Sequence, residues 1–543
     1  MSAHPIQPWQ DLAAAKKAER DSRIPSEWKL KSDQLPPEGT RDLRSVADTC
    51  GLLTDKELEI TGKGYDATSL SAAIAKGKYS AVEVTTAFCK RAAVGHQLCN
   101  FLTEIMFADA LEQAKKLDET FQSTGKVVGP LHGIPMTFKE CFHFKGYDST
   151  NGYLSRVGQP ATTTSPLAQV LQAAGAIVIS KTNVPQTMLV AEAENNVFGR
   201  TKNPVDSNLT SGGSSGGEGA TQAFRGSAVG IGTDVGGSIR IPAAANGVYG
   251  YKPSFGVIPM IGYSYSGWAG SNTGIPAVTG PLGHSVRDLS LIAQVARRAE
   301  PWRFDPAVIP NIMEIPTSSR KPIVGVIHRS GLTPHPPIRR GIEEAVAKLK
   351  DAGFEVRNFT PPDFLEIRKI TEQLFTLDAL SYQKKELAKT GEPPVSSVLN
   401  IGFWDIPRKS QEQAWQWNTK KGEVQKQMLD EWQRVGCDIV LAPAGPHTAV
   451  RPGDWTSDIY TVAWNAVDYP AVIVPFSHAD PEKDPVDKDF KPIHEADAKN
   501  QALYDPELFK GAPVALQIVG PRLGDAQLLK DAELVDSVLN GKS

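Results

Sequence analysis

The stretch Ser165–Ser180, SPLAQVLQAAGAIVIS, contains one complete passage from helix to strand. Ser165 can cap a helix, Pro166 suits the first helical position, where its missing N–H costs nothing, and Gly175 suits the stop. AIVIS then reads as a buried strand. The same order returns in IRRGIEEAVAKLKDAG (338–353) followed by FEVRNF (354–359). PIVGVIH (322–328), CDIVLAP (437–443), AVIVPF (471–476) and PVALQIVG (513–520) read as further short buried strands. Such alternation implies an α/β protein, with a mainly parallel (mixed) central sheet covered by helices on both faces. No repeat recurs at a fixed period.

Outward from this scaffold, Ser80–Glu83 has capping-box spacing and opens a helix through VTTAFCKRAA (84–93); a second amphipathic stretch covers ADALEQAKKLDETF (108–121). Residues 1–65 read as a helical N-terminal extension that packs on a main body spanning 66–543; Thr54–Glu57 gives it a second capping box. Residues 479–506, rich in Asp, Lys and Pro, read as a solvated insertion. Hydrophobic residues make up 40% of the 543 and charged residues 22%, as in ordinary soluble proteins, and the formal charge of −3 predicts no nucleic-acid face. No signal-peptide core and no membrane-length apolar run are visible, so a cytoplasmic protein is expected. The cysteines, Cys50, Cys89, Cys99, Cys141 and Cys437, are odd in number and scattered, which argues against a disulfide framework or a zinc site.

Three segments depart from the scaffold pattern: LHGIPMTFKECF (131–142), TSGGSSGGEGA (210–220) and VGIGTDVGGSIRIPAAANGVYG (229–250). The last begins as a strand, breaks into a Gly-rich turn and delivers Ser238. Backbone N–H groups in such a turn can form the nest an oxyanion needs, with Val235, Gly236, Gly237 and Ser238 as donors. A dinucleotide loop fails because Val235 stands where the third glycine belongs, and no phosphate-binding G-x-x-x-x-G-K-[ST] occurs. GGSSG does match the G-x-S-x-G elbow, which would need an acid and then a histidine such as His447 or His478 downstream. No H-E-x-x-H or H-x-H pair suggests a metal site.

Lys139 is the other anomaly, a charge inside an apolar, strand-like run. Its ordinary reading is a packed stem whose amine reaches water; its functional reading is a desolvated neutral base, with Ile134, Met136 and Phe138 as apolar neighbours. A free lysine titrates near pH ~10.4, so only about one in 2,500 is neutral at pH 7. Cys141 beside Glu140 and Lys139 suggests a thiol amidase, but alternation along a strand would point Glu140 away from the other two.

Taken together, GIPMTFK, GGSSGG and GTDVGGSIRIPA resemble the amidase signature family, whose motifs occur here in order. The resemblance extends to FGRTKNP (198–204), YGYKPS (249–254), GPLGHSVRDL (280–289) and PVALQIVG (513–520), and is nearest to the fungal acetamidase or general amidase branch. It implies the amidase signature fold and hydrolysis of a carboxylic amide through an acyl-serine, without metal or cofactor. In that reading Ser238 is the nucleophile, Ser214 the bridging serine and Lys139 the base. Val235 to Ser238 supply oxyanion donors, and Met188 lies beside the scissile carbonyl. It also implies a cis peptide before Ser214, an Asp234–Arg240 pair bracing the loop, and homodimers as a common assembly. Aryl amides, esters or carbamates are alternative substrates for the same residues, and an ammonia-delivering subunit of a tRNA-dependent amidotransferase is a further one. Many members carry Lys-Asp where this chain has Lys139-Glu140.

Overall fold

The computed structural model describes residues 8–271, 274–310, 312–314, 318–455 and 457–541; the first seven residues of the N-terminal extension lie outside these. Among the described residues there are thirteen strands: β1 Leu102–Ile105, β2 Pro135–Lys139, β3 Ile177–Thr182, β4 Glu194–Asn195, β5 Gly199–Arg200, β6 Val229–Asp234, β7 Tyr249–Lys252, β8 Val278–Gly283, β9 Val324–Val326, β10 Val356–Asn358, β11 Ile439–Pro443, β12 Ala471–His478 and β13 Pro513–Val519. The chain divides into two units. One holds the residues up to Ile231 with Met260–Ser271 and Asp378–Asp405; the other holds Gly232–Pro259, the described residues up to Leu377, and those from Ile406 onward.

In the first unit the strands lie in the order β1-β3-β2-β6, with β4 and β5 as a separate pair. β2 runs parallel to both β3 and β6, whereas β1 lies antiparallel on β3. In the second unit the order is β8-β7-β12-β13-β11-β9-β10. Here only β11, β9 and β10 are parallel; β13 lies antiparallel to both β11 and β12, β7 to both β12 and β8. The sheet is mixed, and parallel pairing is confined to two runs rather than dominant. Alternation of helix and strand reveals the elements but not the direction in which each crossover returns the chain.

Helices cover both faces of the second unit's sheet. Val519 belongs to a core with Val440, Ala471, Leu374, Met428 and Trp464, contributed in part by the helices Phe364–Phe375, Gln411–Val435 and Ile459–Ala466. Val514, an odd number of residues earlier on β13 and so on the opposite face, meets Gly341 of the helix Pro336–Asp351.

Local signals in the sequence are realised unevenly. Both capping boxes form: Glu57 and Thr54 exchange bonds of 3.3 and 2.8 Å, Glu83 and Ser80 of 3.1 and 2.9 Å. Pro166 opens its helix, but Ser165 does not cap it. The Ser165 hydroxyl accepts from the His143 amide at 2.8 Å and donates to the Gly262 carbonyl, tying two loops instead. The expected solvated insertion is packed in part. The helix Glu495–Ala502 forms, Asp484 and Asp497 are buried, and their carboxylates meet Arg340 at 2.6 Å and the Thr333 amide at 2.7 Å. Its polarity reflects internal pairing as well as solvation. Among the described residues no helix is long and apolar enough to cross a membrane.

The helix Trp9–Ser22 is anchored by charge as well as by apolar contact. Ala13 packs with Leu154, Val197 and Phe198, flanked by Trp9 and Leu12. Lys16 is buried and pairs with Glu104 at 2.6 Å and Asp148 at 2.9 Å, both also buried. Removing one member of such a cluster strands the other charges. Lys16→Met should therefore lower the unfolding free energy of this unit by about 3–5 kcal/mol, measured by chemical denaturation.

Candidate active site

Lys139 is the last residue of β2 and wholly buried. Alternation along the strand puts Met136 and Phe138 on one face and Thr137 with Lys139 on the other. The apolar neighbours that the sequence offered as the source of desolvation therefore point away from the amine. The lysine's own face is polar: its register partner on β3 is Thr182, and its amine donates to Ser214 Oγ at 2.7 Å. Two of the expected site residues are thus brought together in the first unit.

Ser214 follows a cis peptide from Gly213, as the resemblance implied. Of the surrounding glycines, Gly212 has a left-handed φ of 68°, but Gly213 and Gly217 do not. What those two supply is room: a Cβ on Gly213 would lie 2.4 Å from the Glu192 amide nitrogen, and one on Gly217 2.3 Å from that of Asn183. Ser215 stands at the start of the helix Gly216–Ala223 and is buried. Met188, half-buried in the same unit, has a left-handed φ of 62°, next to Thr187 at 73°.

In the second unit, β6 ends at Asp234 and the loop Val235–Ser238 leads into the helix Arg240–Asn246. The Asp234 carboxylate organises this loop. It accepts from the Gly237 amide at 2.8 Å, the Ile239 amide at 3.0 Å, Arg240 Nη2 at 3.0 Å and Asn465 Nδ2 at 2.9 Å. Burial alone would raise its pKa, but the Arg240 guanidinium and these bonds hold it below the usual carboxylate range. Arg240 is satisfied in turn by the Thr461 carbonyl, Gln517 and Asn465 at 2.8, 2.9 and 2.6 Å.

One expectation is corrected here. Gly237 was among the four oxyanion donors, yet its amide is committed to Asp234 and the residue is buried. Val235, Gly236 and Ser238 are half-buried and remain as candidates. Gly237 instead serves the path of the loop: its φ is 134°, and a Cβ there would lie 2.2 Å from Thr461 Oγ1.

The rival arrangements dissolve. β2 ends at Lys139, so strand alternation does not extend to Cys141, but Glu140 is occupied elsewhere. Its carboxylate accepts from the Thr150 amide at 2.6 Å and the Asn151 amide at 2.8 Å. Burial pushes the Cys141 thiol up to about 11, unsuited to a thiolate nucleophile. Ser214's bonded partner is a lysine, not a histidine; His447 is held neutral by burial, its pKa lowered to about 4, with Nδ1 at 2.8 Å from the Thr448 carbonyl oxygen. A residue that sequence reasoning passed over is Glu218. It is fully buried and bonded to Thr137 and Thr182, and burial raises its carboxyl to about 7. Its signal was available: an acid inside an otherwise small-residue run, GGEGA.

The mixed sheet, the buried lysine–serine pair of the first unit and the ion-pinned glycine-rich loop of the second are the features to set beside known amide-cleaving hydrolases. The chain matches the family described as Amidase over residues 83–529 and belongs to it. It is 38% identical over 550 residues to an acetamidase of Aspergillus oryzae, covering 98% of this chain and 99% of that one. An acetamidase of Emericella nidulans is 38% identical over 556 residues, covering 98% of each. Among solved structures, a fatty acid amide hydrolase is similar with a TM-score of 0.91 and 30% identity, over 98% of this chain and 95% of that one. The protein is an amidase, and the fungal acetamidase branch expected from the sequence contains its similar relatives.

The loop geometry gives a direct test. Gly237→Ala would meet both an unfavourable φ and Thr461, and displacing the loop by an ångström misplaces whatever it carries. The expected result is a fall in kcat of about 10²-fold together with a lowered unfolding temperature, measured by steady-state kinetics beside calorimetry.

Proposed function

We propose that the chain hydrolyses carboxylic amides through an acyl-enzyme on Ser238, with Ser214 relaying protons and Lys139 as the base. The single observation that carries this reading is the 2.7 Å contact between the buried Lys139 amine and Ser214. With the amine neutral, the hydroxyl donates in that contact and its proton passes to Nζ. Ser214 then takes the proton of Ser238, whose oxygen bonds to the carbonyl carbon. The carbonyl oxygen gains the negative charge, and the remaining loop amides, Val235, Gly236 and Ser238, are its donors. Ser214 next protonates the nitrogen as the C–N bond breaks, releasing ammonia or an amine, and takes back the proton held by Lys139, so that the lysine is neutral again. Water repeats the sequence on the ester, frees the acid and restores Ser238.

The similar relatives named acetamidase support a small aliphatic amide as one substrate class. The five cysteines are free and buried, which suits a reducing compartment such as the cytoplasm.

A fluorophosphonate should label Ser238 alone, and Ser238→Ala should abolish both labelling and turnover. Lys139→Ala should lower kcat/KM by about 10²-fold or more, and Lys139→Arg should not restore it because a guanidinium stays protonated. Peptide mapping of the adduct to Ser214 or Cys141, or full activity in folded Lys139→Ala, would overturn the reading.

A further inference from the structure

The proposed mechanism leaves unexplained how a lysine on a polar strand face becomes a neutral base, because its apolar sequence neighbours lie on the other face of β2. The carboxyl group of Glu218 occupies that polar face. Its Oε2 accepts from Thr137 Oγ1 at 2.7 Å and its Oε1 from Thr182 Oγ1 at 2.8 Å. Thr137 lies two residues before Lys139 on the same face, and Thr182 is the register partner of Lys139. Gly230 on β6, register partner of Thr137, closes the cradle: a Cβ there would lie 1.9 Å from Glu218 Oε2. The carboxyl is thus built into the layer that carries the lysine.

Both charge states can be accommodated there. Thr137 Oγ1 also lies 3.0 Å from Ser227 Oγ, and Thr182 Oγ1 3.5 Å from the Phe138 carbonyl. Each hydroxyl can donate to a carboxylate or turn to that second partner and accept from a carboxylic acid. Burial favours the acid, while the two threonines and the charge of Lys139 favour the carboxylate, which leaves the group near neutrality.

Resting on the mechanism above, we propose that Glu218 is a positioning residue for the base, its carboxyl acting through space on Lys139 so that the two lose their protons as a coupled pair. As a carboxylate Glu218 stabilises the ammonium; as a neutral acid it releases Lys139 to be an amine at lower pH. The other charged or titratable groups of the packed elements have partners or are kept uncharged by burial: Glu83 caps its own helix, Lys90 pairs with Glu57 at 2.7 Å, Cys89 and Cys99 stay thiols, and Asp234 on β6 is bound by Arg240. On β3, Lys181 faces the opposite side from Thr182 and bonds Ser149 Oγ at 2.9 Å. Glu140 binds the amides of Thr150 and Asn151, and Cys141 is held as a thiol. On the helix Ala81–Cys99, which packs on Gly216–Ala223, Arg91 bonds the Phe224 carbonyl at 2.9 Å and His96 is held neutral by burial.

The test is the pH profile of kcat/KM in the full-length enzyme. Glu218→Gln keeps the shape and a donor or acceptor for each threonine but removes the negative charge. Without that charge the ammonium is less stable, so the acid limb should move to lower pH by about one unit, while the rate on the alkaline plateau stays within about threefold. Thr137→Val, which keeps the carboxyl and deletes one donor to its charged form, should move the limb the same way by less, and it reports even where Glu218→Gln does not fold. A limb unmoved in the folded variants, or moved to higher pH, would overturn the proposal while leaving the triad standing. Loss of the limb in Lys139→Ala is expected. Its persistence there would instead remove the mechanism on which the proposal rests.

Discussion

Burying a lysine amine costs several kcal/mol unless it is hydrogen-bonded or loses its charge, and the first unit places one, Lys139, at the end of a fully buried strand. That constraint shapes what surrounds it. The amine must meet an oxygen, which Ser214 supplies. The face it shares must tolerate polarity, which Thr137, Thr182 and Glu218 supply. The apolar face of the same strand, with Met136 and Phe138 fully buried, holds β2 in the core while the other face carries the site.

Asp234 and Arg240 solve the corresponding problem in the second unit by a different route. Both are fully buried and only six residues apart, so their attraction acts on the loop between them. A buried ion pair is weak evidence for net stability, since desolvation offsets much of the Coulombic gain. Its worth here is geometric. The aspartate gathers the amides of Gly237 and Ile239, while the guanidinium reaches Thr461, Asn465 and Gln517, fixing the loop to the helix Ile459–Ala466 and to β13. Such a loop needs little reorganisation when charge develops beside it, which is the property an oxyanion-binding turn requires.

Much of this was legible in the sequence because it depends on short-range patterns. The helix-to-strand passage at 165–180, the capping boxes and the identity of Lys139, Ser214 and Ser238 as anomalies all follow from neighbours a few residues apart. What was not legible depends on partners far along the chain. Strand direction is decided by crossovers of tens of residues, so the antiparallel group around β7, β12 and β13 was hidden. Ser165 has a capping residue's composition but is claimed by His143 and Gly262. Gly237 has a donor's position but is claimed by Asp234. Strand direction and Ser165 were decided by distant partners, whereas Gly237 is claimed locally, by an aspartate whose own place is set by Arg240 and Asn465.

The glycines show the same lesson in another form. Read along the sequence, GGSSGG suggests freedom of backbone angle, and Gly212 uses that freedom. Gly213, Gly217 and Gly230 do not, yet each stands against an atom that a Cβ would strike: the Glu192 amide, the Asn183 amide and the Glu218 carboxylate. At these three positions glycine marks where a polar group approaches the backbone closely, and close approach cannot be read from a single stretch because the approaching atom comes from elsewhere. Gly230 is the clearest instance. It looks like an ordinary member of a Gly-rich strand, but the space it leaves is the space in which a carboxyl group can sit beside the strand that carries Lys139.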